Sequence, residues 1–184
     1  PKALAELKRV KLLDVIFPLI QDKSLKFFTE IANKLNNLSP NVHYLLILSC
    51  FFKDFEESKV LEAFEDLKLS SQELLTLHFG LECQKMIRNG FDAITKHEWV
   101  SFFANPLAEQ AIALIGAMSS GFTIKRLEEA RLPLSLAIDR KKRGVTLLKS
   151  TDLMDANIQP GKLMGTLLRE GESLAITHDL TTPE

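Results

Sequence analysis

Apolar positions recur at helical spacing from the first residues to about position 140. Leu4, Leu7 and Val10 begin one stripe, and Leu25, Phe28, Ile31, Ala32 and Leu35 form a second. Val60, Leu61, Phe64 and Leu67 make a third, Leu74, Leu77, His78 and Leu81 a fourth, and Ile112, Ile115 and Met118 belong to a fifth. Steps of three and four residues keep side chains on one helix face, so each stripe predicts an amphipathic helix. Tyr44 to Phe52 is apolar on nearly every side and predicts a central helix buried on most sides. Strand patterning is almost absent. Only Gly144-Val145-Thr146-Leu147-Leu148 has extended character, and an isolated strand has no sheet to join.

The punctuation agrees with helices. Ser39-Pro40 and Asn105-Pro106 read as N-cap and first-turn proline pairs. Ser70-x-x-Glu73 and Thr95-x-x-Glu98 read as capping boxes, in which each side chain satisfies a helix-end N–H. Stops fall at Asn36-Asn37, Asn89-Gly90 and Ser119-Ser120-Gly121. The expectation is an all-α protein: a multi-helix bundle over residues 1–121 and a smaller helical tail over 122–184. The tail opens on a basic segment and is punctuated by Gly and Pro from Ser150 to Leu168.

Composition narrows the class. The 184 residues are 46% hydrophobic and 26% charged, a globular balance that excludes a disordered chain. Twelve Phe against one Tyr and one Trp points to aromatics that fill space. Cys50 and Cys83 sit in apolar helical context without a CxxC pair, which predicts reduced core thiols and a cytoplasmic setting. Residues 1–9 are charged, unlike a secretory leader, and the most apolar stretch is far shorter than the ~20 residues a membrane span requires. The absence of Met at position 1 reads as the mark of a piece of a longer protein.

The net charge of −1 conceals an asymmetry. Between Leu61 and Gly121, eight acidic residues face four basic ones. Between Lys125 and Lys149, eight basic residues (Lys125, Arg126, Arg131, Arg140, Lys141, Lys142, Arg143, Lys149) face three acidic ones. Arg140 to Arg143 would put four positive charges on about one helical turn. A phosphate backbone would relieve their repulsion. A solvated helix end whose cations complement the C-terminal dipole is the competing reading.

Catalytic patterns are missing from the chain. His43, His78, His97 and His178 have no partners at metal-ligand spacing, and no GxSxG, P-loop or GxGxxG occurs. No catalytic residue and no metal ligand is therefore assigned. His78, on its apolar stripe, reads as a satisfied core histidine. Glu56-Glu57 and Glu128-Glu129 read as solvated faces. One segment carries more information, Leu148 to Leu168. A short helix opens near Thr151 or Asp152 and ends at Asn157, a residue that tolerates the left-handed cap. Pro160-Gly161 turns into a second helix, where Gly161 frees N-terminal amides to meet an anion and Gly165 permits close packing. A purely structural helical hairpin would carry the same pattern.

This segment resembles the C-terminal region of the bacterial tRNA nucleotidyltransferase (CCA-adding enzyme) and poly(A) polymerase family, on Asp152, Leu153, Ile158, Pro160, Gly161, Gly165 and Leu168. Ser150 and Asn157 stand where the family has glycines. Ala5 to Pro18 is similar to the family's Leu-Leu…Phe-Pro helix, with Lys11 where glycine is common. Tyr44 to Phe55, with Leu67-Lys68-Leu69-Ser70, looks like its central helix and the helix start that follows. The family's catalytic head (Gly-Ser…Asp-x-Asp) and nucleotide-selecting neck (Glu-Asp-x-x-Arg) have no counterpart here.

The resemblance implies the body and tail of such an enzyme, inactive alone, with Mg2+ and CTP or ATP handled in the head and no cofactor in this chain. It implies RNA, specifically tRNA, as partner and no membrane. RNA contacts would then come from Lys125, Arg126, Arg140, Lys141, Lys142, Arg143, Lys149, Gly161 and Lys162, reading backbone charge and shape rather than base sequence. Two other readings stay open: a degenerate relative of helical His-Asp phosphohydrolases, lacking the His-Asp pair, and a helical protein-interaction scaffold.

Overall fold

A computed structural model describes residues 2–38, 41–119 and 121–180, with side chains undescribed at 2, 37 and 121–123. Among the described residues the regular structure is all helix. The α-helices are α1 (Lys2–Arg9), α2 (Leu12–Ile16), α3 (Leu25–Lys34), α4 (Tyr44–Ser49), α5 (Glu57–Glu65), α6 (Ser71–Asn89), α7 (Lys96–Ala104), α8 (Ala108–Met118), α9 (Gly121–Arg131), α10 (Ser135–Lys142), α11 (Ser150–Asp155) and α12 (Lys162–Thr177). Short 3-10 turns extend several of them, including Pro18–Ile20 and Cys50–Phe52. Residues 144–148 form no strand; the turn there runs directly into α11.

The chain divides into two compact units. The first is Pro1–Ala93 with Glu109–Lys125, and the second is Ile94–Ala108 with Arg126–Glu184. This differs from a single division at position 121. Helix α7 belongs to the second unit, because its apolar face (Trp99, Val100, Phe102, Phe103) is buried there with α10 and α12 as neighbours.

The first unit is built on phenylalanine. Phe17, Phe52 and Phe64 meet one another with ring centroids 4.9–5.4 Å apart, and Phe28 stacks on Phe51 at 5.3 Å. Flat rings fill the irregular gaps between short helices and gain from edge-to-face contact. The Tyr44–Phe52 segment is the buried centre, but as a short α4 continued by a 3-10 turn, and Tyr44 itself is exposed. Its hydroxyl donates to Glu73 Oε1 at 2.5 Å; that bond, with the Ser70 amide and hydroxyl, holds the Glu73 carboxyl down to about 2. Lys8 is nearly buried beneath α1: its ammonium contacts Asp14 at 2.6 Å and donates to the Ile20 and Gln21 carbonyls.

Both capping boxes are formed, at Ser70/Glu73 and Thr95/Glu98. Ser39-Pro40 lies outside the described residues, and α4 begins at Tyr44 with His43 as its cap, Nδ1 accepting from the Leu45 N–H. Asn105 ends α7 and accepts from the Leu107 N–H, so α8 starts at Ala108. Three stripes rotate at their ends. Val10 is 61% exposed because α1 stops at Arg9, Leu67 lies beyond the end of α5, and α8 buries Ala108, Ala111, Leu114 and Ile115 rather than Ile112 and Met118. His78 is half-exposed rather than core, with Nδ1 2.6 Å from Glu57 Oε1. Cys50 and Cys83 are buried free thiols, and burial pushes Cys50 up to about 12 and Cys83 upward.

Helices α4 and α6 cross at Gly80. A Cβ there would meet Ser49 Oγ at 2.9 Å, Ser49 Cβ at 3.0 Å and Leu46 Cδ2 at 3.3 Å. Ser49 is fully buried and its hydroxyl donates to the Leu46 carbonyl, so it has little room to retreat. Gly80→Ala is expected to destabilise the protein by about 1–3 kcal/mol in urea denaturation. Lys11 (φ 60°) and Lys68 (φ 50°) are exposed and occupy the left-handed region that a Cβ disfavours. Lys11→Gly and Lys68→Gly are expected to raise stability by about 0.5–1 kcal/mol each, measured in the same way.

Candidate nucleic-acid interface

The residues expected to contact phosphate fall mainly in the second unit. The 3-10 turn before α10 buries Leu134, and α10 itself buries Ile138 and ends in Arg140, Lys141 and Lys142, cations placed where the helix dipole favours them. Its end is closed by a left-handed Gly144 (φ 66°), with Val145 N–H bonded to Arg140 O and Gly144 N–H to Lys141 O.

The four consecutive cations do different things. Arg140 is only 13% exposed; Nη2 lies 3.6 Å from Glu172 Oε1, and Nη1 donates to the Leu180 carbonyl. Glu172, 12% exposed on α12, also accepts from the Leu147 N–H. The pair therefore ties α10, α12 and the intervening turn together. Arg140 Nε is buried without a hydrogen-bond partner. Lys141 donates to Ser101 Oγ on α7 at 2.9 Å. Arg143 pairs with Asp139 one turn back at 2.7 Å, both exposed. Lys142 is exposed.

His97 stands beside this network with Nδ1 buried and unbonded. Burial first, and the Lys141 charge second, lower its pKa below the ordinary imidazole value against the opposing pull of Glu172 and Glu98. Lys149 and Lys162 are exposed at the starts of α11 and α12. Lys125 is exposed on α9 in the first unit and Arg126 half-buried on the same helix in the second; neither is a free cation.

The α11–α12 corner has a definite backbone. Helix α11 opens at Ser150, with the Asp152 carboxylate accepting from the Lys149 N–H. It closes through Asn157 at φ 62°, with Asn157 N–H bonded to Met154 O and Ile158 N–H to Leu153 O. This paired closure requires a left-handed residue, a role Asn fills with little strain. Helix α12 then starts after Gly161 with no side-chain cap and no acid in its first turn. Gly161 itself is extended (φ 160°), a conformation open to any residue. Gly165 corrects an expectation: a Cβ there would meet nothing within 4 Å, so it permits no close packing.

The Arg140–Glu172 pair escaped sequence reasoning, since 32 positions separate residues that only the packing of α10 and α12 joins. Among the described residues no group of three or more His, Cys, Asp or Glu side chains is placed to hold a metal ion, and no single helix is long and apolar enough to cross a membrane. Comparison of the chain with protein-family models, with curated proteins and with solved structures gives no match.

Removing Glu172 leaves a nearly buried guanidinium with one carbonyl partner. Glu172→Ala is expected to cost about 3 kcal/mol, whereas Lys142→Gln stays within about 0.5 kcal/mol, both read by chemical denaturation. Because His97 binds its proton less readily in the folded state, its contribution is complete above the unfolded imidazole pKa and is lost as pH falls from there through the lower folded-state pKa. In an NMR titration His97 should titrate below the ordinary value, and Lys141→Ala should move it upward.

Proposed function

We propose that this chain is the RNA-holding body and tail of a template-independent nucleotidyltransferase of the tRNA nucleotidyltransferase and poly(A) polymerase kind. The observation that carries the reading is the Asp152–Leu168 corner. Its two helices, the left-handed Asn157 and the uncapped start of α12 fit the segment on which the family resemblance rests. Exposed Lys142, Lys149 and Lys162 are the cations available to neutralise phosphates, and the first amides of α12 can add their dipoles. Arg140 acts as the strut that positions the end of α10 rather than as a phosphate contact. Recognition of this kind follows backbone charge and duplex shape, and it holds the RNA end in register for a head that performs the addition. Magnesium chemistry would belong to that head. The described residues offer it no group of three or more His, Cys, Asp or Glu side chains as ligands.

A second reading, a protein-interaction scaffold, is favoured by Leu132 and Leu136, which are 75% and 68% exposed at a four-residue spacing. Salt dependence separates the two. Under the RNA reading the chain binds tRNA with an affinity that falls steeply as salt rises. The combined variant Lys142→Glu, Lys149→Glu, Lys162→Glu should weaken binding at least about tenfold and flatten the salt slope by roughly one per lost contact. Lys26→Glu with Lys34→Glu should leave both unchanged. Equal losses from the two sets, or the absence of salt-sensitive binding, would sink the RNA reading.

A further inference from the structure

Helix α6 runs for 19 residues and ends on Asn89-Gly90. At the ends of α3, α4, α5, α7, α10, α11 and α12 the N–H of the cap residue returns to a carbonyl of the last turn. At Gly90 it does not. With φ 83° and ψ 147° the backbone leaves the helix abruptly, and the Gly90 N–H makes no such bond among the described residues. The next closing bond, from Ala93 N–H to Gly90 O at 3.4 Å, holds the carbonyl of Gly90 and leaves its nitrogen untied.

The Asn89 carboxamide is equally unengaged. It is exposed and makes no side-chain hydrogen bond among the described residues. A Cβ at Gly90 would meet nothing within 4 Å, so the backbone is open on that side. Two other asparagines at helix ends are held differently. Asn157 is followed by Ile158, whose N–H is bonded to Leu153 O at 2.9 Å. Asn105 is followed by Pro106, which has no N–H, and its Oδ1 accepts from the Leu107 N–H at 2.9 Å.

We propose that Asn89 is a site of spontaneous covalent modification, at which the folded chain deamidates through a cyclic imide closed between Asn89 and Gly90. The Gly90 nitrogen gives its proton to water and bonds to Asn89 Cγ. The Cγ–Nδ2 bond breaks, and Nδ2 takes up a proton and leaves as ammonia. The imide then adds one water, the sole co-reactant. Opening at Cγ gives aspartate. Opening at the Asn89 main-chain carbonyl carbon gives isoaspartate, in which the chain runs through the side-chain carbons. Glycine matters at the second position because any side chain there crowds the attack. Either product puts a carboxylate at the C-terminal end of α6, where the helix dipole opposes it. Isoaspartate also lengthens the main chain by a methylene where α6 passes into the turn Phe91–Ala93. The site closes the first unit's leading segment, Pro1–Ala93, and is independent of the RNA reading.

The test is incubation of the full chain at mildly alkaline pH, folded and in urea, followed by peptide mass spectrometry with fragmentation that separates aspartate from isoaspartate. Asn89 is expected to convert in the folded chain at a rate within about tenfold of that in urea, because a helix end without its closing bond opens readily. Both aspartate and isoaspartate should appear there, while Asn105 and Asn157 stay unconverted over the same period. Asn89→Gln, at an exposed position compatible with folding, should leave the mass of that peptide unchanged. Gly90→Ala should slow conversion at least about tenfold in urea, where strain at the positive φ plays no part. A folded-state rate below that tenfold window, conversion of Asn157 as fast as Asn89, aspartate without isoaspartate, or indifference to Gly90→Ala would each overturn the proposal.

Discussion

The first unit is organised by the contact between Gly80 and Ser49. Helices pack closely only where side chains leave room, and α4 reaches α6 at a position where α6 has no side chain. That crossing fixes the rotation of α6, the longest helix. One side of α6 is then committed to Leu77, Gly80 and Cys83, all buried. The adjoining side carries Leu81, Gln84, Lys85 and Arg88 to the corner at 52–57. The same contact seats the 3-10 turn that sends Phe51 toward Phe28 and Phe52 toward Phe17 and Phe64. Core order follows from one missing methyl group.

The second unit relies on a different kind of joint. Three aromatic side chains on α7, Trp99, Phe102 and Phe103, form a small cluster with centroids 5.1–6.0 Å apart. Around it the helix ends are closed by left-handed residues: Gly144 after α10, Asn157 after α11 and Asp179 after α12. The Arg140–Glu172 pair links two of those helices away from solvent, where a charge pair is worth keeping only if both partners are present. Basic character at the end of α10 is accordingly divided between internal bonding and solvent. A run of like charges in sequence does not amount to a patch of free cations.

Local features were legible in the sequence. The helical class, the two capping boxes, the stop at Asn89-Gly90 and the left-handed Asn157 all follow from interactions within a few residues. What depends on distant partners was not. The grouping of α7 with α10 and α12, the half-exposed His78 held by Glu57, and the burial of Arg140 each arise from residues many positions apart. Gly165 shows the converse error: a glycine one turn into a helix suggested a close neighbour, and that face is open.

The order in which the units use the chain bears on how the protein is made. The first unit needs residues 109–125 as well as the first 93, and the second takes 94–108 before it receives anything after 125. During synthesis from the N-terminus, neither unit is complete until its later segment has left the ribosome. Helix α7, with its apolar aromatics, must wait through α8 and α9 before α10 and α12 exist to cover it. That interval exposes Trp99, Phe102 and Phe103 to solvent and to other chains, the period in which a folding helper would matter most. It also means that no single cut in the polypeptide releases either unit whole.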